Sequence, residues 1–401
     1  MVCFPRPSSS ALPFLRASTL ITVRFLFPLL LLAACARPEP RPAEPEAMLA
    51  DAAAFLWSQQ ADDGGWHSET HGLLRGGQAW TPFVLHALLA VPASVYAPPE
   101  AGVERALAFL RARTNAGGVL GLADSLVLEY PNYATAYALR VFARHGAPED
   151  SALVRRMAAY LRAQQFTEQR GVTPDRPEYG AWGFGEVALA HGEVGHIDLS
   201  HTLRALQALR EAGALDSTTE ADALVFLRLL QKRPEETRPL PPGNVAADLS
   251  VYDGGFHASP TVQGTNKGWI GTDGAFRSYA TATADGLLAL LAAGAAPDSA
   301  PVQDAHRWLR AHPDWAVPAG IPSDGPVPWD RVMVFYHLHT RSAAYAALGD
   351  TTGRAQLTRL LAERQRADGS FANPDGAPNK EDDPLLATAM MVEVLSRVVA
   401  R

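Results

Sequence analysis

Asp253-Gly-Gly-Phe256 and, a short way on, Ser278-Tyr-Ala-Thr-Ala-Thr-Ala-Asp-Gly-Leu-Leu-Ala-Leu290 decide how this chain folds. The first stretch is a glycine-rich turn carrying an aromatic. Glycine permits the left-handed backbone of a helix exit, and the aromatic ring can plug the gap between neighbouring helix pairs. The second stretch is a helix with apolar residues on most of its sides, and such a helix is buried on most of its sides. Just upstream, Ala221 to Lys232 spaces its apolar residues three and four apart and keeps polar side chains on one face, which predicts an amphipathic helix. The unit is therefore a wetter helix, a turn and a greasier helix.

Working outward, the unit recurs with a period of roughly 50 to 65 residues. Amphipathic helices are expected at Met48 to Gln60, Val103 to Thr114, Ser151 to Gln165, Ala221 to Lys232, Val302 to His312 and Ala355 to Arg366. Ala54-Phe-Leu, Ala108-Phe-Leu, Ala159-Tyr-Leu, Val225-Phe-Leu and Arg307-Trp-Leu sit at one register within them. Turns like the first follow at Asp63-Gly-Gly-Trp66, Tyr179-Gly-Ala-Trp-Gly-Phe184 and Asp368-Gly-Ser-Phe371. Each apolar helix usually carries a threonine near its start, as in Trp80-Thr81, Tyr133-Ala-Thr135, His201-Thr202 and Ala387-Thr388. Six pairs result. Their asymmetry predicts two concentric layers, amphipathic helices outside and apolar helices inside, with the sixth pair meeting the first so that no apolar end stays exposed. The fold class is then all-α, an (α/α)6 toroid of six helical hairpins over residues 48–401.

Gln59 or Gln164 near a helix end, the glycine–aromatic turn and the Thr-Ala helix together resemble the prenyltransferase and squalene oxidase repeat. Tyr130-Pro-Asn-Tyr-Ala-Thr135, Asp198-Leu-Ser-His-Thr202, Arg277-Ser-Tyr-Ala-Thr281, Phe335-Tyr-His337 and Asp382-Asp-Pro-Leu-Leu-Ala-Thr388 are similar to pieces of squalene-hopene cyclase-like proteins. Those proteins belong to the terpenoid cyclase superfamily, so the resemblance implies its alpha/alpha toroid. The family's chemistry does not transfer with it. Class II terpene cyclases protonate an alkene with an Asp-x-Asp-Asp-Thr segment, and aligning on Thr202 puts Ser200 where the proton donor would stand. A hydroxyl is far too weak an acid for an unactivated alkene. Asp382 and Asp383 precede Thr388 by too many residues for that register and read as an acidic helix cap. Protein prenyltransferases of this fold hold zinc with Asp, Cys and His, and the only cysteines here are Cys3 and Cys35, outside the repeats. A site from His196, Asp198, His201, His337 and His339 fails on geometry, because His337 and His339 point about 200 degrees apart on a helix. No metal and no cofactor is expected.

If apolar helices line the ring, their first turns bring Trp80, Tyr130, Tyr133, Asp198, His201, Tyr279, Tyr336 and His337 to one end of a central hollow. Trp80, Tyr130, Tyr133, Tyr279, Tyr336 and His337 are the candidate ligand-binding residues, since aromatics with a few polar groups suit an apolar ligand. They could equally fill the ring and satisfy one another. Asp198 and His201, three apart on one helical face, are the candidate general acid–base pair. A cap carboxylate beside a surface histidine explains them too. A carbohydrate-cleaving site would need paired carboxylates across the hollow, for which Asp198, Asp285 and Glu186 are the contributors on offer. The Asp-Gly-Gly turns lack the alternating oxygen ligands of a calcium loop and read as turns.

The N-terminal end carries an address. Arg16 and Arg24 precede Phe25-Leu-Phe-Pro-Leu-Leu-Leu-Leu-Ala-Ala-Cys35, a charged region, a short apolar run and small residues, as in a secretory signal. The run is too short to span a bilayer. Leu32-Ala33-Ala34-Cys35 resembles a bacterial lipobox, which implies a signal peptide over 1–34, lipidation at Cys35 and a Pro-rich tether over 35–47. Ala36, where an aspartate would retain such a protein, implies the periplasmic side of the outer membrane. A net charge of -7 without long charged runs leaves no footprint for nucleic acid. The expected partners are an apolar small molecule or lipid, the membrane through the anchor, and an envelope protein. Two functions follow: a membrane-tethered toroid that binds or modifies an isoprenoid or lipid, or a non-catalytic envelope scaffold.

Overall fold

The alternation of wetter and greasier segments becomes an alternation of outer and inner helices in the computed structural model. It describes residues 44–400 apart from 125, 187–188, 237–251 and 272–274. The expected signal segment, the expected lipidation site Cys35 and the expected tether as far as residue 43 lie outside the described residues. Twelve helices form the pairs: α1 Pro45–Ser58, α2 Trp80–Leu89, α3 Glu100–Arg113, α4 Pro131–His145, α5 Ser151–Ala163, α6 Leu199–Glu211, α7 Ser217–Leu230, α8 Ala280–Ala292, α9 Ala300–Ala311, α10 Val334–Ala347, α11 Arg354–Arg364 and α12 Pro384–Val399. A single helical turn, Trp329–Val332, leads into α10. Among the described residues β structure is limited to isolated bridges.

Burial follows the sequence asymmetry. The inner helix α8 is buried from Ala280 to Leu290 without a break. The outer helix α9 buries only Val302, Ala305, Trp308 and Leu309, one stripe at helical spacing. The even-numbered helices pack in succession, α2 on α4, α4 on α6, α6 on α8, α8 on α10 and α10 on α12, and α12 returns to α2. The ring is closed, and the expected all-α toroid of six hairpins is what forms.

The recurring threonine and aromatic turn out to be one device. Thr81 Oγ1 accepts the backbone N–H of Trp66 at 2.9 Å, Thr202 that of Trp182 at 3.1 Å, Thr283 that of Phe256 at 3.0 Å and Thr388 that of Phe371 at 2.9 Å. In the second hairpin Thr135 accepts from Leu120 at 3.0 Å. The threonine thus latches the turn onto its inner helix, and the aromatic ring drops into the core. Trp66 and Trp182 are fully buried, and each indole N–H donates to a carbonyl of its own outer helix, Leu56 and Leu161, at 2.7 Å. Truncating such a ring costs about 3–5 kcal/mol.

Glutamines tie one hairpin to the next. The Gln60 amide donates to Gly64 O at 2.9 Å and across to Gly102 O at 2.8 Å. Gln165 bridges Gly180 and Thr219, and Gln231 bridges Gly254 and Pro301. Gln365 reaches Gly369 and, closing the ring, Met48 O on α1 at 2.8 Å. The repeat glutamines are therefore Gln60 and Gln165, one position beyond Gln59 and Gln164. The helices end at Ser58 and Ala163, so Gln59 still faces solvent, and only the next residue turns inward. At the same junction Gly369 holds a φ of +86°, and a Cβ there would lie 2.5 Å from Asp51 O of α1. Only glycine fits.

The fifth hairpin lacks the aromatic turn and uses another solution. Arg341 of α10, fully buried, donates to the carbonyls of Leu309, His312 and Asp314 at 3.0, 2.8 and 2.7 Å. Those bonds satisfy the exposed end of α9 and make burial of a guanidinium tolerable.

Candidate ligand cavity

Every odd helix leads into the following even helix, so the connections before the six inner helices all lie at one end of the ring. There the first turns of those helices surround a cavity of about 550 Å³. That volume is in the range of small-molecule sites. Among the described residues the exposed large apolar ones, Leu73, Leu126, Leu128, Trp269, Ile270 and Val317, all belong to the same connections.

Trp80, Tyr130, Tyr133, Tyr279, Tyr336, Asp198 and His201 all line this cavity. His337 does not. It is fully buried on the other side of α10 beside Arg341, where burial holds its pKa down to about 3. Two residues of helix turn the side chain by about 200 degrees, and His339 takes the inward position instead. The aromatics also brace one another. Tyr133 packs on Tyr137 at 4.8 Å and on Phe83 at 6.3 Å between ring centroids, and Tyr130 meets Phe184 edge-on at 5.1 Å.

On one wall stands Asp198, the N-cap of α6. Its Oδ1 accepts from the His201 backbone N–H at 2.9 Å, from His201 Nδ1 at 2.9 Å and from Ser200 Oγ at 2.8 Å. Its Oδ2 meets His196 Nε2 at 2.8 Å, and the His196 ring stacks on Phe184 at 3.9 Å. Burial would push this carboxyl up, but the facing His201 charge and the bonds from both imidazoles hold it well below the ordinary carboxylate value. Asp198 is therefore ionised and fully engaged. It serves as helix cap and as the group that orients two imidazoles, and it fixes the His201 proton on Nδ1. His201 Nε2 is left buried without a hydrogen-bond partner.

On another wall Asp285 of α8 accepts from the Tyr336 hydroxyl at 2.6 Å. Its second oxygen, Oδ1, is buried and unpaired. Burial raises this carboxyl to about 6, against the pull of Arg204 and the Tyr336 bond and with the Asp198 charge adding to the rise. Behind it, His339 Nε2 meets Glu393 Oε2 at 2.7 Å, and His86 Nδ1 meets Glu393 Oε1 at 2.8 Å, so a buried His–Glu–His chain lies under the floor. Glu186 is not part of the wall. It accepts the His196 backbone N–H at 2.9 Å and does not line the cavity, whereas Asp198 and Asp285 do. Asp382 and Asp383 stand at the α12 end. Asp383 caps α12 through Leu385 N at 2.9 Å and takes Trp80 Nε1 at 3.3 Å, while Asp382 pairs with His71 at 2.8 Å. Among the described residues no group of three or more His, Cys, Asp or Glu side chains is placed to hold a metal ion.

Lys267, Lys380 and Arg204 also line the cavity, and the two lysines carry no signal that a repeat pattern could reveal. Lys267 and Lys380 sit in connections, far apart in sequence. Arg204 and Asp285 did leave a trace, each being a charge inside a helix that is otherwise apolar on its inner face. Only two non-glycine residues among those described have positive φ, Tyr130 at 47° and Lys380 at 63°, and both line the cavity. Such backbone costs of order 1–3 kcal/mol and concentrates at functional sites.

No protein-family model matches the chain, and no curated protein matches it. Solved structures do. A variant of the type II terpene cyclase MstE from Scytonema, in complex with geranylgeranyl dihydroxybenzoate, is 17% identical with a TM-score of 0.53, over 88% of this chain and 97% of that one. A protein from Actinoplanes is 15% identical with a TM-score of 0.51, over 89% and 100% of the two chains. A glycosidase variant is 14% identical with a TM-score of 0.52, over 89% and 97%. At these identities the likeness is one of fold: the chain is an alpha/alpha toroid, the fold it has in common with this type II terpene cyclase and this glycosidase.

Proposed function

We propose that this chain takes an apolar molecule, isoprenoid or lipid in character, into its central cavity and offers it an acid–base pair. The observation that carries this reading is the aromatic-walled hollow of about 550 Å³, with its few polar groups gathered on two walls. His201 Nε2 is the base and Asp285 the acid, a division that follows from one carboxyl being locked as an anion and the other raised to about 6. The reaction class these groups suit is proton transfer within the bound molecule. Ordinary alkene protonation by the usual aspartate is not proposed, because Ser200 occupies that position and donates to Asp198.

Exposed apolar residues on the connections before the inner helices, Trp269 and Ile270 among them, support a ligand delivered from a lipid phase. We further propose export and lipidation at Cys35, on the periplasmic side of the outer membrane; this rests on Leu32-Ala33-Ala34-Cys35 and the apolar run before it. The test is to purify the full chain from membranes in detergent and analyse a solvent extract by mass spectrometry. A stoichiometric hydrophobe is expected, reduced in Trp80→Ala with Phe83→Ala, and Cys35→Ser should move the chain to the soluble fraction. Absence of any bound or bindable hydrophobe would sink the cavity reading and leave the toroid as an envelope scaffold.

A further inference from the structure

Three cationic side chains line a cavity whose walls are otherwise mainly apolar: Lys267, Lys380 and Arg204. None of them forms an ion pair with a described carboxylate. Lys267 places its ammonium 3.6 Å from the centre of the Trp329 ring and donates to Gly264 O. Lys380 lies 5.5 Å from the centre of the Tyr130 ring. Both are half-buried, and each rests on an aromatic face that holds a cation in place without neutralising it. Arg204 is 5% exposed, and its Nε has no hydrogen-bond partner.

The anionic side of the cavity does not balance these charges. Asp198 is already shared between His196 and His201, and Asp285 is bonded to Tyr336. An unpaired cation held in a largely apolar hollow is costly, and that cost falls when an anion enters. Burial pulls the Lys267 ammonium down to about 8, and the attraction of Asp198 offsets only part of that shift. Strain points the same way. Lys380 is held at a positive φ, and the ring it contacts belongs to Tyr130, the other non-glycine residue in that backbone region. Two adjacent strained residues that meet in a lysine–aromatic contact at a cavity are a built feature.

We propose that the ligand is an anionic amphiphile, its carboxylate or phosphate head gripped between Lys267 and Lys380 and its apolar body lying against the aromatic wall below. This deepens the cavity reading and rests on it. Lys380 precedes α12 and Lys267 precedes α8, so the two ammonium groups approach the head from different hairpins. Arg204, deeper on α6, then keeps Asp285 company across the floor and is not needed for the head.

The test uses the full chain in detergent and three probes that share one tail: hexadecanoate, hexadecyl phosphate and hexadecanol, titrated by calorimetry. At least one of the two anions should bind roughly tenfold or more tightly than the alcohol, with the tighter of them naming the head. Lys267→Gln with Lys380→Gln should erase that preference while leaving hexadecanol binding within about twofold, and Lys267→Arg with Lys380→Arg should retain it. Thermal melting of each variant guards against misfolding. If hexadecanol binds as tightly as both anions, or the preference survives the glutamine pair, the anionic head is wrong and the apolar cavity stands. If none of the three probes binds and no hydrophobe copurifies, both readings fall together.

Discussion

The walls of Asp198 and Asp285 face one cavity and treat the same functional group in opposite ways. Asp198 caps a helix, so the unpaired first-turn N–H of His201, three residues on, reaches it, and two imidazoles and a hydroxyl complete its shell. Asp285 sits inside a helix whose own N–H groups are already used, so it depends on Tyr336 and on Arg204 at longer range. One carboxyl is driven towards the anion and the other towards the acid. The difference teaches that position along a helix can push two like carboxyls in opposite directions before any ligand arrives.

The sharpest way to break the contrast is Asp198→Ala. It leaves a helix amide and two imidazole N–H groups without their acceptor, and a loss of about 3 kcal/mol or more is expected at pH 7, read from denaturant unfolding. Because this carboxyl is depressed in the folded state, its contribution is present above the ordinary carboxylate value of 3.8 and is lost as pH falls through the lower folded value. The gap between wild type and variant should therefore narrow in acid. A variant as stable as wild type at neutral pH would remove Asp198 from the role assigned to it.

Asp285→Asn should act with the opposite sign. A carboxyl raised to about 6 favours the folded state most when protonated, fully so below 3.8, and that advantage is lost as pH rises through 6. The amide mimics the protonated form at all pH values, so the variant should match wild type near pH 3.5 and exceed it by about 1–3 kcal/mol at pH 8. Parallel stability curves for the two proteins across that window would contradict the assignment.

The smallest effect, and the one that sharpens the comparison, is Tyr336→Phe. Loss of the hydroxyl donor removes a bond that favours the anion, so the Asp285 titration followed by carboxyl-selective nuclear magnetic resonance should move up by about one pH unit. Asp198 should not move with it. A shift of both carboxyls together would mean that the two walls are one coupled unit.

Much of the architecture was legible. The turn at Asp253 and the helix after Ser278 recur because every hairpin has the same gap to plug and the same inner helix to latch, and such a requirement writes itself at a fixed period. The threonines were visible for this reason, although their bond to the aromatic residue's amide was not. The fifth hairpin escaped, since its inner helix meets the same need with an arginine, Arg341, in place of the threonine and aromatic. Within the cavity, Trp80, Tyr133, Tyr279 and Tyr336 could be placed from their positions at the start of inner helices. His337 was misplaced by treating Tyr336 to His339 as one patch, when helical rotation lets Tyr336 and His339 face inward and sends His337 away. Lys267 and Lys380 could not be found from local pattern, because each comes from a connection whose path depends on its neighbours.

By itself, then, the order of residues determined the twelve alternating helices and their inside and outside, because periodic burial is a local demand that each segment records in its own composition. Tertiary structure alone decided which carboxyl is held down and which is raised, and which cations share a hollow. Protonation and charge balance depend on distances between groups that are remote in the chain, and those distances exist only once α12 has closed against α2.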